Sequence, residues 1–142
     1  MEKLIISACL LGENCKYNGK SNHNQKVCAL REKYDLVPVC PETAGGLKCP
    51  RLPAEIVGEK VFLSDKTDVT DEFKKGAQHT LKTAIAYDCR KAVLKANSPS
   101  CGNKTVYDGT FSKKLVKGDG ITAKLLKENG IVIFTEEDID FL

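Results

Sequence analysis

The stretch P-V-C-P-E-T-A-G-G-L-K-C-P-R-L-P-A-E-I, Pro38 to Ile56, decides how the rest of the chain is read. The apolar residues Leu36, Val37 and Val39 lead into it and read as a short buried strand. Regular structure then stops. Four prolines, two adjacent glycines, two cysteines, one arginine and two glutamates fall within nineteen residues. Pro41, Pro50 and Pro53 each remove a backbone donor and fix φ, while Gly45-Gly46 opens backbone conformations closed to other residues. This composition predicts a stiff, irregular loop that presents Cys40 and Glu42 just past a strand end. In open α/β sheets that edge is where ligands bind. The bland alternative is a tight surface loop with an ordinary buried cysteine. Two other cysteines that also follow predicted strands favour the functional one.

Upstream, K-L-I-I-S-A (Lys3–Ala8) reads as a first strand with Cys9 at its end. A loop follows, with Asn18-Gly19 as a turn signal. Val27, Leu30 and Tyr34 then share one face of a helix expected over about Asn24–Lys33, and Cys28 reads as a small packed residue beside that face. Downstream, Glu55–Leu63 suggests two extended pieces broken at Gly58-Glu59. Thr70 resembles an N-cap, followed by Asp71 and Glu72 in the first turn of a helix running to about Asp88. Phe73, Ala77, Leu81, Ala84 and Ile85 form its expected apolar stripe, His79 lies off it, and Cys89 reads as packed. Lys91–Lys95 is a third strand, ending in A-N-S-P-S-C-G. Thr105–Lys117 reads as a loop with extended pieces and a turn at Asp108-Gly109. A helix over Ile121–Glu128 and a strand over Ile131–Phe134 follow. Thr135 and Asp138 then resemble a capping box for a last short helix near Leu142. The order β-α-β-α-β-α-β predicts one domain over residues 1–142. Its expected form is a three-layer, Rossmann-like α/β fold with about four parallel strands and a small extended excursion.

At 142 residues the chain can bury a core without disulfide staples. Its net charge of +3 is spread along the sequence rather than gathered in a basic block, so the lysines read as solvated faces. Dispersed charge and few aromatics argue against a nucleic-acid module. The N-terminus lacks a signal-peptide pattern and no stretch has the length of a membrane span, which places the expected setting in the reducing cytoplasm. Seven cysteines are many for such a setting, and an odd number does not fit a complete disulfide framework. Metal, cluster or thiol chemistry is the leading explanation.

Cys9, Cys40 and Cys101 each follow a separate predicted strand, so a parallel sheet would bring them to one edge. Three soft thiolates there suit a transition metal or an iron–sulfur cluster, and three rather than four leave a position open for chemistry. No C-x2-C pair announces a zinc knuckle. Glu42, two residues past Cys40, could act as an acid or base in the same place, or else pair with Arg51 or cap local amides. Ser98 and Ser100 could orient a substrate or simply hold the turn before Cys101. Cys15 and Arg51 are candidates for the pocket rim, with Cys15 ranked above Cys49.

Four motifs carry a resemblance: S-A-C-L-L-G-E-N-C-K-Y-N-G, V-C-P-E-T-A-G-G-L-x-x-P-R-x-P-A-E-I, D-V-T-x-x-F-x-x-G-A and S-P-S-C-G-x-x-x-x-Y-D-G-x-F. They run from Ser7 to Phe111 and resemble the family known as domain of unknown function 523, which includes a bacterial thiouracil desulfidase. The resemblance implies a 4Fe-4S cluster on Cys9, Cys40 and Cys101, with one iron free to take sulfur from a thiolated pyrimidine. It also implies that Glu42 and a serine of S-P-S-C act on the substrate. The chain departs from the motif with Lys16, Asn18 and Cys49. A cluster carrier or redox sensor is the competing reading, and it has no need of Glu42.

Overall fold

The computed structural model describes residues 1–142. Four short apolar runs make its central sheet: β1 (Lys3–Ser7), β2 (Asp35–Val39), β5 (Lys91–Leu94) and β8 (Val132–Thr135). They lie in the order β2-β1-β5-β8, all parallel. The chain leaves β1 towards β2, then returns across β1 to build β5 and β8 on the other side. The direction therefore reverses between β1 and β5, the kind of switch point at which parallel sheets open a crevice at their carboxyl ends.

Alternation along the strands feeds two cores. Leu4, Ile6 and Val93 point to one face, where Leu10, Val27, Leu30, Tyr34 and Ile139 cover them. Ile5, Ala92, Leu94 and Ile133 point to the other, beneath α3 (Thr70–Ala86) and α4 (Ile121–Glu128). The three layers expected from the sequence are present.

Several elements differ in detail from the sequence expectation. The helix expected over Asn24–Lys33 is one α-turn, α1 (Gln25–Cys28), continued as a 3-10 turn through Glu32. Asn24 caps it by accepting from the Val27 N–H at 3.1 Å. Thr70 is the first helical residue of α3, not its cap. Its hydroxyl oxygen accepts from the Val61 N–H at 2.9 Å and ties α3 to the hairpin β3 (Ala54–Val57) and β4 (Lys60–Leu63). Ile85 is 69% exposed and Thr80 fully buried, because Ile85 lies about 120° round the helix from Phe73. The extended pieces expected within Thr105–Lys117 pair as an antiparallel ribbon of β6 (Thr105–Tyr107) and β7 (Leu115–Lys117). The Thr135 N–H does donate to the Asp138 carboxylate, but the final 3-10 turn starts later, at Ile139.

The Pro41–Ala44 segment, expected to be irregular, is a single helical turn, α2, with Cys40 at its N-cap and Pro41 in its first turn. The turn lies directly on α3. A Cβ built on Gly45 would meet the Glu72 carbonyl oxygen at 1.9 Å, and one on Gly76 would meet the Pro41 carbonyl oxygen at 1.8 Å. Backbone therefore packs on backbone, and this contact fixes how far Cys40 and Glu42 stand from the sheet. Ala usually stabilises a helix interior by about 1 kcal/mol over Gly. At residue 76 overpacking of roughly 1–3 kcal/mol should outweigh that gain. Gly76→Ala is thus expected to lower the denaturation midpoint, and a rise in a urea titration would show that α2 yields freely.

Candidate active site

Three adjacent strands deliver the three strand-end cysteines to the carboxyl edge. Ser7, the last residue of β1, pairs with Val39, the last of β2; Cys9 follows two residues after Ser7 and Cys40 directly after Val39. The Ser7 side chain carries the third connection. Its oxygen accepts from the Lys95 N–H at 2.9 Å, just past β5, and its hydroxyl donates to the Cys101 sulfur at 3.5 Å. Cys101 is buried, whereas Cys9 and Cys40 are half-buried.

The loop before Cys101 is held at both ends. Ser98 Oγ accepts from the N–H groups of Ser100 and Cys101, each at 3.1 Å. The Ser100 hydroxyl is buried against Thr122 Oγ1 at 2.7 Å and joins the loop to α4. Both serines make turn bonds here, and only Ser98 is partly open to solvent. Glu136, which the sequence did not single out, clamps the neighbouring strand end. It accepts from the Ala96 N–H at 2.8 Å and pairs with Lys95 at 2.7 Å.

Glu42 projects from α2 beside Cys40. Arg51 donates to Glu42 Oε1 through Nε at 3.2 Å and Nη2 at 3.1 Å, so the pairing weighed in the sequence is present. The same guanidinium donates to the carbonyls of Cys15 and Lys48. The Arg51 side chain is 7% exposed and that of Glu42 17%. Both bonds to Glu42 fall on Oε1, which leaves Oε2 without a protein partner. Burial raises the Glu42 pKa above the usual carboxylate value, although the adjacent Arg51 charge opposes it.

Cys15 comes to the same place. Its thiol lies against the sulfurs of Cys9 and Cys40, and this contact is the main reason both pKa values fall, to about 7 for Cys9 and about 5 for Cys40. The Asn22 amide at 3.5 Å from Cys9 and the Thr43 hydroxyl near Cys40 add to the effect. Cys15 itself is driven upward by the same two neighbours. Burial pushes Cys101 up to about 12 against the pull of the Ser7 hydroxyl. Cys49 sits outside, exposed, with its thiol 3.0 Å from the Asn14 carbonyl oxygen and 3.1 Å from that of Lys16. Cys28 lies elsewhere, 3.6 Å from His23 Nε2, and Cys89 is buried in the core.

Glu55 is a residue that sequence reading missed. It is buried on β3, and its Oε1 accepts from the N–H groups of Gly109 at 2.9 Å and Phe111 at 3.2 Å. This carboxylate organises the Y-D-G-T-F turn from a strand 54 residues earlier. The P-A-E-I glutamate inside an apolar strand was its only local signal.

A family model described as 2-thiouracil desulfurase matches residues 4–138. The chain belongs to the 2-thiouracil desulfurase family. The chain is also similar to YbbK of Bacillus subtilis strain 168, an uncharacterised protein, with 37% identity over 96% of this chain and 97% of YbbK. The solved structure of TudS, a 4Fe-4S-dependent thiouracil desulfidase, superposes with a TM-score of 0.94. It is 42% identical to this desulfurase-family chain and matches 100% of it and 95% of the TudS chain. The parallel-sheet architecture and the family expected from the motifs both agree with these relatives.

Proposed function

We propose that this member of the family, acting as one domain, removes sulfur from a small thiolated pyrimidine base or nucleotide, water replacing the sulfur, which leaves as sulfide. No net electron transfer is involved: a thiocarbonyl and water become a carbonyl and hydrogen sulfide. The observation that carries this reading is the meeting of Cys9, Cys40 and Cys101 at the switch-point edge, with a buried carboxylate beside them. The relationship to TudS supports it.

The donor set fits a 4Fe-4S cluster on chemical grounds. All seven cysteines are free thiols, and Cys9 and Cys40 are already acidified towards the thiolate that binds iron. No three His, Cys, Asp or Glu side chains are arranged about a point as a single ion requires. A cluster asks for something different, one thiolate on each of several irons. Cys9, Cys40 and Cys101 would hold it, and when bound it would supply a Lewis-acidic iron for the thiocarbonyl sulfur.

The chain's own groups do the rest. Arg51 fixes Glu42 through Oε1, and the free Oε2 can take a proton from the attacking water and return it to the departing sulfur. A carboxyl whose pKa burial has raised is better matched to that exchange than an exposed one. Ser7 and Ser98 hold Cys101 in place, and Glu136 with Lys95 secures the chain just past β5. No helix is long and apolar enough to cross a membrane.

The test is sulfide release from 2-thiouracil, 4-thiouracil and thiouridine monophosphate by anaerobically reconstituted protein. At least one should yield sulfide and the oxygen-containing base in equal amounts. Iron-loaded protein that releases none would move the carrier or sensor reading ahead.

A further inference from the structure

Cys15 is the thiol of this edge that the proposed reaction leaves without a role, yet its backbone is secured from several sides. Its carbonyl accepts from Arg51 Nη2 at 3.1 Å and faces the Cys40 thiol at 3.8 Å. Its N–H donates to the Glu13 carbonyl at 2.9 Å. The Cys49 thiol sits on the carbonyls of the residues immediately before and after it. The side chain is half-buried and lies against Cys9 and Cys40, whereas Cys101 approaches from the buried floor. The edge therefore presents four thiols to a cluster that needs three fixed ones.

We propose that Cys15 is a displaceable fourth thiolate, which occupies the open iron position while no thiolated base is bound and gives it up when one enters. The inference rests on the reading that Cys9, Cys40 and Cys101 hold a cluster. Because Arg51 and the Cys49 thiol pin the backbone, a rotation of the Cys15 side chain is enough for the exchange. The step balances without an oxidant: the Cys15 sulfur leaves as thiolate and takes up one proton, while the incoming sulfur takes its place. Between turnovers Cys15 shields the iron from water and oxygen. In return it competes with any incoming ligand, so apparent affinity falls by the fraction of time the position is open.

The experiment compares anaerobically reconstituted wild type, Cys15→Ala and Cys15→Ser, with far-UV circular dichroism confirming the fold of each. Iron and acid-labile sulfide are counted, the reduced cluster is examined by electron paramagnetic resonance, and 2-mercaptoethanol is titrated as a thiolate probe that is not consumed. Both variants should keep their iron but show a changed resonance. Probe binding should tighten roughly tenfold if Cys15 holds the position nine-tenths of the time. Unchanged resonance and unchanged probe affinity in both variants would overturn the proposal. Iron loss as complete as in Cys40→Ser would overturn it too, by making Cys15 a fixed ligand. A wild type that takes up no iron fails at the first count and removes the cluster reading itself.

Discussion

Glu42→Gln is expected to keep its iron and visible absorption while losing roughly 10²–10⁴-fold in turnover, the usual worth of positioned acid–base assistance. The substitution preserves size, and the amide oxygen can still accept from Arg51 Nε and Nη2, so the α2 turn should stay where Gly45 and Gly76 set it. What disappears is a group able to take and return a proton at Oε2. Substrate binding should suffer less than turnover, because the sulfur of the base is its main anchor. Sulfide release under saturating base separates the two effects. Turnover at the wild-type rate would reduce Glu42 to the partner of Arg51, a structural ion pair that positions the Cys15 and Lys48 carbonyls.

Cys101→Ser should lose cluster and activity together. Serine is close in size, and its oxygen can still accept from the Ser7 hydroxyl, so the buried loop has no reason to unfold. A hard alkoxide or hydroxyl is a poor substitute for a soft thiolate on iron. Cys28→Ser and Cys89→Ser, altered away from the edge, should take up iron as the wild type does. Iron retained in Cys101→Ser but lost in Cys15→Ser would mean that Cys9, Cys15 and Cys40 are the ligands, with Cys101 no more than a packed residue.

The sheet was legible because each of its strands is a short apolar run flanked by polar or turn residues, and parallel pairing of such runs leaves little choice of edge. That is why the sequence alone puts Cys9, Cys40 and Cys101 at one edge. What local pattern could not supply was contact across the chain. The dense prolines and glycines of Pro38–Ile56 hid a helical turn, since Pro41 is compatible with a first turn and Gly45 is needed for the approach to α3 rather than for a bend. Thr70 has the side chain of a cap but uses it on β4. Glu55 begins an expected extended piece, and its role shows only once the turn at Gly109 and Phe111, whose N–H groups it accepts from, is folded onto it. Cys15, a rim candidate in the sequence, lies in a loop without regular structure, and the tertiary bonds of Arg51 and Cys49 help to bring it against Cys9 and Cys40.

The most direct measurement is the metal content of protein purified and reconstituted without oxygen, with iron, acid-labile sulfide and zinc counted per chain in the wild type and in Cys9→Ser, Cys40→Ser and Cys101→Ser. Equal amounts of iron and sulfide in the wild type, no zinc, and loss of both in each of the three variants is the predicted result. Zinc or a single iron without sulfide, or full iron and sulfide in any one of those variants, would contradict it.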